Sequence, residues 1–319
     1  MKNIAIIAGG NSSEYEVSMK SGKNIYDEVD ETRYNKYLVV LKERDWHVEI
    51  GEEKYPVDKN DFSFTRNGEK ILFDFAYITI HGVPGENGYL DMMGVPYGCC
   101  NVLASALTFD KHTCNTYLKS YGVNVADSVM LIRGMAYDVN EIINEVGLPC
   151  FVKPNVEGSS FGVTKVKEAT QLEDALKKAF ALCREVLIET FIDGTELTCG
   201  VVKAGDMDIT MPIAEVVPKN EFFDFEAKYD PTKSDEIIPA RISPELTNRI
   251  KTLSSMIYDI LRCEGIIRVD YIVREDEIFM LEVNTTPGMT SNSFVPKMVR
   301  AMGGTLREVL TKIIDNKLN

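Results

Sequence analysis

The stretches GIIRVDYIV (residues 265–273) and IFMLEV (residues 278–283) mark the structural centre of the last third of the chain. Branched and aromatic apolar residues dominate both, and a short polar turn separates them, so they predict two neighbouring β-strands. Residues two apart in a strand lie on the same face. If the strands pair, one face presents an arginine, two carboxylates and an amide: Arg268, Asp270, Glu282 and Asn284.

Two interpretations of this polar face are open. Carboxylate and amide oxygens on rigid strands suit Mg²⁺ that also binds nucleotide phosphates. The alternative is a surface salt bridge between Arg268 and a carboxylate, which would contribute little to stability. The apolar neighbours indicate that these strands are partly buried, and a buried acidic group needs a partner or a metal. The pattern therefore favours the metal site.

The first third of the chain alternates strand and helix patterns, which is typical of a parallel α/β sheet. The predicted elements are strands at 4–8, 37–41 and 75–80 and a helix at 17–29. Ligands of such sheets bind beyond the carboxyl ends of the strands. The pairs Gly9-Gly10 and His81-Gly82 stand at those ends.

The middle of the chain contains a predicted antiparallel hairpin with a turn of small residues at 155–162. Backbone N–H groups of such a turn can cradle phosphate, and Lys153 ends the strand before it. Taken alone, the motif does not differ from an ordinary hairpin turn beside a surface lysine. The other predicted elements are helices at 102–121, 138–146, 171–182 and 244–261, and strands at 128–132, 186–189, 196–202 and 209–217.

A loop of small residues at 284–291 follows the second of the opening strands. Backbone N–H groups near Gly288 could stabilise an oxyanion that develops during a reaction. An ordinary turn is the alternative.

Composition limits the class of protein. The chain has 319 residues, of which 45% are hydrophobic and 26% charged, which excludes a disordered chain, a coiled coil and a collagen-like fibre. A net charge of -14 repels nucleic acid and anionic membranes, so neither is predicted as a main partner. The 7 cysteines lack paired spacing and predict reduced thiols in a cytosolic protein, and the 3 histidines do not favour a histidine-based zinc site.

Six motifs in order resemble those of the D-alanine–D-alanine ligases of the ATP-grasp superfamily, nearly from end to end. They are residues 9–18, 81–88, 106–111, 153–160, 226–229 and 282–290. The resemblance implies an α/β fold with a three-domain ATP-grasp architecture. An N-terminal parallel α/β domain (1–100) would bind the first D-alanine. A central (101–188) and a C-terminal (189–319) α+β domain would enclose ATP.

The resemblance also implies an ATP site and a metal site. The residues that would contact phosphates, adenine or ribose are Lys111, Lys153, Ser160, Glu189, Phe191, Ile192, Glu196 and Lys228. The residues that would hold two Mg²⁺ or Mn²⁺ ions are Asp270, Glu282 and Asn284.

The remaining implied roles concern the amino-acid substrates. Glu14 would bind the first D-alanine amine, with His81 nearby, and Ser293 with Phe294 would line the site of the second D-alanine. Arg268 and the N–H of Gly288 would stabilise the tetrahedral intermediate. A hydrogen-bonded triad would close a mobile loop over the site: Glu14, Ser159 and Tyr229.

The activity that follows from the resemblance is ATP-dependent joining of two D-alanines through an acyl phosphate. The expected setting is peptidoglycan precursor synthesis, and hence cell wall biogenesis and cell shape, by a cytoplasmic homodimer. A D-Ala–D-Lac or D-Ala–D-Ser ligase is an alternative, as is a nucleotide-binding protein that has lost turnover. Tyr229 and the lack of histidine between Asp224 and Pro239 favour an amine as acceptor. The chain departs from the family at Thr190, Phe223 and Phe294.

Overall fold

The computed structural model describes residues 1–156, 158, 162–218 and 234–319, and the statements below concern these residues. Their strands form three sheets of 7, 4 and 6 strands. No helix among them is long and apolar enough to cross a lipid bilayer.

The first sheet combines a parallel centre with an antiparallel extension. Its strands are β1 (Lys2–Gly9), β2 (Tyr34–Lys42), β3 (Asp45–Ile50), β4 (Glu53–Asp58), β5 (Ser63–Arg66), β6 (Glu69–Leu72) and β7 (Phe75–Ile78). The order is β6-β5-β4-β3-β2-β1-β7, and β1 runs parallel to both β2 and β7, as predicted. The antiparallel strands β3 to β6 were not predicted. Helix α1 (Tyr15–Glu28) follows β1, and α2 (Glu86–Met93) follows β7.

The predicted helix at 102–121 is two helices, α3 (Val102–Phe109) and α4 (Lys111–Lys119). Asp110 separates them because its backbone is extended and its side chain accepts the N–H of Thr113 at 2.8 Å, which caps α4. Both helices share a core with the C-terminal sheet, in which Ala104 and Leu118 pack with Val269.

The second sheet contains the predicted hairpin. Its strands are β8 (Ser128–Ile132), β9 (Cys150–Pro154), β10 (Thr164–Val166) and β11 (Glu185–Thr190), in the order β10-β9-β11-β8. Strands β9 and β10 pair antiparallel, which confirms the hairpin. One face packs on helices α5 (Val139–Val146) and α6 (Leu172–Leu182) through Val152 and Ile188. The alternate residues, which include Phe151 and Lys153, lie on the other face.

The third sheet contains the two strands predicted at 265–273 and 278–283. Its strands are β12 (Thr195–Ala204), β13 (Met207–Thr210), β14 (Ala214–Pro218), β15 (Ser234–Ile237), β16 (Gly265–Arg274) and β17 (Glu277–Asn284). The order is β15-β14-β12-β16-β17, with β13 on β12, so the predicted strand at 209–217 is in fact two strands. Strands β16 and β17 pair antiparallel, with Arg268 opposite Asn284 and Asp270 opposite Glu282. The shared polar face is therefore confirmed.

Three more helices complete the described chain: α7 (Pro244–Ile260), α8 (Phe294–Ala301) and α9 (Leu306–Leu318). Helix α9 joins the first and third sheets, because Leu310 and Ile313 share one core with Ile4, Phe75 and Ile266. All 7 cysteines are free and buried, which agrees with the prediction of reduced thiols.

Helix α1 lies so close to the first sheet that Gly22 has no room for a side chain. A Cβ there would lie 2.6 Å from the Cβ of Ala8 and 3.2 Å from Oγ1 of Thr79. We expect Gly22→Ala to lower the free energy of unfolding by about 1–2 kcal/mol, because overpacking outweighs the better helix propensity of alanine. Urea denaturation measures the change.

Gly88 in α2 provides the matched control. A Cβ there would lie 3.6 Å from Val102, an ordinary contact, so Gly88→Ala should leave stability equal or raise it by up to about 1 kcal/mol. A Gly22→Ala protein as stable as the Gly88→Ala protein would contradict the close packing of α1.

Candidate active site

The centre of the site is an ion pair on β16. Arg268 donates from Nε to Oδ1 of Asp270 at 2.8 Å and from Nη2 to Oδ2 at 2.7 Å. Thr198 on β12 donates to Oδ1 at 2.5 Å, and Asn284 on β17 donates to Oδ2 at 3.1 Å. Each carboxylate oxygen of Asp270 thus accepts two hydrogen bonds. Since Asp270 is only 8% exposed, this is a buried pair and not the surface salt bridge of the alternative interpretation.

The surroundings keep Arg268 charged. Burial opposes the charge of its guanidinium, but the attraction and hydrogen bonds of Asp270, with Glu282 and Glu196 nearby, outweigh this and raise its pKa. The guanidinium also lies over the ring of Phe294, 5.7 Å from its centroid. Phe294, a departure from the family pattern, therefore contacts the central cation of the site.

The loop that follows β17 brings Gly288 against Ser293. A Cβ on Gly288 would lie 3.0 Å from Oγ of Ser293, so a larger residue would crowd this contact. Ser293 accepts the N–H of Thr290 at 3.1 Å, and its hydroxyl lies 2.8 Å from that of Thr290. The loop is thus braced internally beside Arg268.

The first sheet contributes Glu14 and His81. The hydroxyl of Ser12 donates to the carbonyl of His81 at 2.6 Å and accepts the N–H of Glu14 at 3.2 Å, which ties the two segments together. Burial lowers the pKa of the His81 imidazole, against the opposing effect of the Glu14 carboxylate. Nε2 of His81 is buried and, within the described part of the chain, has no hydrogen-bond partner. A bound substrate could supply that partner.

Glu14 also reaches the hairpin of the second sheet. A Cβ on Gly158 would lie 2.5 Å from Oε2 of Glu14, so the carboxylate is packed against the turn. Four of the other predicted site residues lie outside the described residues: Ser159, Ser160, Lys228 and Tyr229. Phe223, which departs from the family pattern, lies outside them as well. Gly158 immediately precedes Ser159, so the described part of the turn already lies beside Glu14.

Lys153 and Glu189, predicted to contact phosphate and adenine, form an ion pair with each other. They come from the neighbouring strands β9 and β11, and their side chains are only 15% and 8% exposed. Asn115 on α4 donates to the second oxygen of Glu189 at 3.3 Å. The carboxylate thus holds the ammonium group of Lys153 and accepts a hydrogen bond from α4.

Aromatic rings lie on the face of the second sheet that carries Lys153 and Glu189. The rings of Phe151 and Phe191 meet edge to face with centroids 5.7 Å apart, and Nζ of Lys165 lies 3.7 Å from the Phe191 centroid. Ile192 is buried. Thr190, another departure from the family pattern, donates its hydroxyl to the carbonyl of Val146 at 2.8 Å and so is engaged with α5.

Asn155 is a residue that the sequence analysis missed. It is 1% exposed, accepts the N–H of His112 at 2.9 Å and donates to Glu185 at 3.2 Å. Its carbonyl lies 3.5 Å from Nζ of Lys111. Asn155 thus fixes the start of α4, and with it Lys111, to the strand that carries Lys153. No periodic pattern marks an asparagine in a turn for such a contact.

A single cavity of about 890 Å³ connects most of these groups. The predicted site residues that line it are Glu14, His81, Lys111, Glu196, Arg268, Asp270, Glu282, Asn284, Gly288, Ser293 and Phe294. Lys153, Glu189, Phe191 and Ile192 are not among its lining residues and lie on or beside the second sheet. Thr198, which the sequence analysis also missed, lines the cavity, and the β12–β16 pairing that places it opposite Asp270 was not predicted.

The donor set near Asp270 fits magnesium by ligand type. Nδ2 of Asn284 donates to Oδ2 of Asp270 at 3.1 Å and lies 3.5 Å from Oε1 of Glu282, so two carboxylates and an amide form one cluster. Mg²⁺ prefers such oxygen ligands and takes few of them from the protein when nucleotide phosphates supply the rest. Among the described residues no group of three or more His, Cys, Asp or Glu is placed to hold a metal.

The Lys153–Glu189 pair yields a stability prediction. Lys153→Met leaves a buried carboxylate without its partner, so we expect the free energy of unfolding to fall by about 3–5 kcal/mol. Adding Glu189→Gln removes the unpaired charge and should recover at least half of that loss. Urea denaturation of the single and double variants measures both effects.

The exposed pair of Lys119 and Asp127 is the matched control, since its side chains are 61% and 65% exposed. Lys119→Met should cost less than about 1 kcal/mol. Equal losses for Lys153→Met and Lys119→Met would show that the Lys153 pair is not buried in solution.

Comparison with known proteins identifies the family. Residues 3–100 match the model of the D-ala D-ala ligase N-terminus, and residues 117–315 match that of the C-terminus. A D-alanine–D-alanine ligase of Bacteroides fragilis is 55% identical over 322 residues, which cover 99% of each chain.

Two solved structures extend the comparison to the fold. The VanG D-Ala:D-Ser ligase from Enterococcus faecalis has a TM-score of 0.86 at 31% identity, covering 99% of each chain. A D-alanine–D-alanine ligase from Bacillus anthracis has a TM-score of 0.81 at 30% identity, covering 100% of this chain and 98% of that one. The ATP-grasp fold is thereby confirmed, and the chain belongs to the D-alanine–D-alanine ligase family.

Proposed function

We propose that the protein joins two D-alanine molecules into D-alanyl-D-alanine, with cleavage of ATP to ADP and phosphate, for peptidoglycan precursor synthesis. The observation that carries the proposal is that a relative named D-alanine–D-alanine ligase is 55% identical over 99% of this chain. The cavity that gathers Glu14, Arg268 and Gly288 beside the carboxylates of β16 and β17 supports the same chemistry.

The reaction needs an activated carboxylate. A carboxylate is a poor electrophile, and its phosphorylation by ATP gives an acyl phosphate with a good leaving group. The amine of the second amino acid attacks this carbonyl, and phosphate leaves. Water would hydrolyse the acyl phosphate, so the site must exclude it. In our proposal the predicted loop that carries Lys228 and Tyr229 closes the site.

The roles of the amino-acid site follow from charge. The Glu14 carboxylate pairs with the ammonium group of the first D-alanine, beside the buried Nε2 of His81, which has no hydrogen-bond partner among the described residues. Arg268 and the N–H of Gly288 stabilise the negative oxygen of the tetrahedral intermediate. Ser293, beside Gly288, binds the carboxylate of the second D-alanine, with Phe294 as part of the pocket wall.

The roles of the nucleotide site rest on cations and hydrogen-bond donors. Lys111, Lys153 and Lys228, with the N–H of Ser160, bind the phosphates; the segment from Glu189 to Ile192 holds adenine, and Glu196 binds the ribose. Asp270, Glu282 and Asn284 would hold Mg²⁺ or Mn²⁺, which when bound neutralises phosphate charge and orients the transferred group.

The second substrate is the finer part of the proposal. The likeness to VanG D-Ala:D-Ser ligase, at 31% identity, keeps D-serine as an alternative acceptor, and D-lactate is another. Tyr229 and the lack of histidine between Asp224 and Pro239 favour D-alanine. Competition between D-alanine, D-serine and D-lactate at neutral pH, with product analysis by mass spectrometry, decides among them.

Assembly and location complete the proposal. We place the enzyme in the cytoplasm as a homodimer with domains at 1–100, 101–188 and 189–319. Sedimentation equilibrium tests the dimer.

The first functional prediction is strict substrate dependence. With ATP and Mg²⁺, phosphate release should require D-alanine and should not occur with L-alanine, because the cavity must bind the ammonium and carboxylate groups of one enantiomer together. A coupled phosphate assay measures this. ADP formation that needs neither D-alanine nor Mg²⁺ would contradict the proposal and favour a nucleotide-binding protein without this turnover.

The second functional prediction concerns Glu282. Glu282→Gln keeps the shape of the side chain but removes a metal-binding charge, so we expect turnover to fall by at least about 100-fold. The melting temperature should change little, and raised Mg²⁺ should restore part of the activity.

Glu277→Gln is the control for this variant. Glu277 begins the same strand, but it is exposed and pairs with Arg274 at 3.4 Å. Loss of the Glu277 carboxylate should leave turnover near that of the original protein. Near-normal turnover of Glu282→Gln would remove Glu282 from the metal site.

A further inference from the structure

One face of helix α1 connects two parts of the cavity. Glu14 precedes the helix, and Ser18, Ser21 and Asn24 follow at spacings of three or four residues, which places them along one stripe. Ser18 accepts the N–H of Gly9 at 2.9 Å and so fixes the start of the helix to the end of β1. Ser21 and Asn24 reach a different segment, the loop after β17.

These two side chains hold both polar backbone groups of Met289. The N–H of Met289 donates to Oγ of Ser21 at 3.1 Å, and Nδ2 of Asn24 donates to the carbonyl of Met289 at 2.7 Å. Ser21 is 0% exposed and Met289 is 2% exposed, so both residues lie in the interior. The residue they hold is the neighbour of Gly288.

Other anchors of this loop come from the C-terminal part of the chain, from α3 and from the segment after β7, where His81 interacts with the backbone of Thr286. Arg300 donates to the carbonyl of Ser291 at 2.7 Å, and the hydroxyls of Thr108 and Thr285 lie 3.3 Å apart. Within the described part of the chain, the hydrogen bonds of Ser21 and Asn24 connect the loop to α1. Helix α1, which begins beside Glu14, therefore helps to set the distance between the loop and Glu14.

We propose that Ser21 and Asn24 are positioning residues for the ligation step. By holding Met289 they place the N–H of Gly288 at a set distance from Glu14, so that the substrate bound through its ammonium group presents its carbonyl oxygen to that N–H. This inference rests on the proposed function. An oxyanion donor stabilises a transition state only if it is in place before charge develops, and supporting hydrogen bonds keep it there.

A purely structural role is the rival explanation. In that case the two hydrogen bonds attach the N-terminal sheet to the C-terminal loop, and their loss would loosen the whole cavity. ATP affinity and the melting temperature would then fall together with turnover. A positioning role affects turnover and the binding of a mimic of the tetrahedral intermediate while sparing ATP affinity.

The experiment uses Asn24→Leu, which keeps the size of the side chain but loses the donor, and Ser21→Ala. We expect kcat for D-alanyl-D-alanine formation to fall by about 10- to 100-fold, as for other groups that orient a reacting centre. Affinity for a phosphinate dipeptide, whose tetrahedral phosphorus replaces the attacked carbonyl, should fall in proportion. The Kd for ATP should stay within about 2-fold. Asn24→Gln retains an amide donor, and because Asn24 is half-buried the longer side chain has room to fit. This variant should therefore keep more activity than Asn24→Leu.

The first sheet offers a matched control for each variant. Asn3 donates to the carbonyl of Leu72 at 2.9 Å, and the hydroxyl of Ser63, which is 1% exposed, donates to Asp61 at 2.6 Å. Asn3→Leu also loses the hydrogen bond that Oδ1 of Asn3 accepts from Asn35 at 2.9 Å. Because all of these hydrogen bonds lie away from the cavity, Asn3→Leu and Ser63→Ala should leave kcat unchanged.

The outcomes separate this inference from the proposed function. Unchanged kcat in Asn24→Leu and Ser21→Ala overturns the positioning role, as does a loss of kcat matched by equal losses of ATP affinity and thermal stability. Should Ser21→Ala fail to fold, Asn24→Leu and Asn24→Gln carry the test. An original protein that makes no D-alanyl-D-alanine would overturn the proposed function itself, and that measurement needs no variant.

Discussion

The buried ion pair of Arg268 and Asp270 is the interaction on which the rest of the site depends. Two charges removed from water are tolerated only when their remaining hydrogen-bonding capacity is used. Thr198 and Asn284 meet this need from the strands on either side of β16. The register of three strands is therefore tied to one carboxylate. Such a pair adds little stability compared with apolar packing, which makes function the better explanation for its presence.

The same constraint extends beyond the third sheet. Arg268 must lie near the loop that carries Gly288, and that loop is held by Ser21 and Asn24 of helix α1. Helix α1 begins beside Glu14, which packs on the hairpin turn of the second sheet. Groups from all three sheets thus meet at one cavity through direct contacts. The apolar core that α9 shares with the first and third sheets supports this arrangement from the side.

Features with a short sequence period were predictable, and long-range contacts were not. Alternation along β16 and β17 predicted the polar face, and the alternating strands and helices predicted the parallel centre of the first sheet. Strands β3 to β6 were missed because they are short and rich in charged residues. The break at Asp110 interrupts a helical pattern without a glycine or proline to mark it. Contacts such as Asn24 with Met289 join residues 265 positions apart, which no local pattern reveals.

The chain is acidic and its substrate ATP is an anion. The two are compatible because cationic side chains of the site are paired with carboxylates. A net charge of -14 would repel ATP if it were spread evenly over the surface. Arg268 and Lys153 instead stand in buried pairs with Asp270 and Glu189, so their cationic groups are held in place with little net local charge. Both carboxylate oxygens of Asp270 are already bound by Arg268. The protein therefore offers a metal fewer oxygen ligands than a site built from protein groups alone would require. The proposed magnesium site would therefore be completed by the phosphates of ATP, so that nucleotide and metal favour each other's binding.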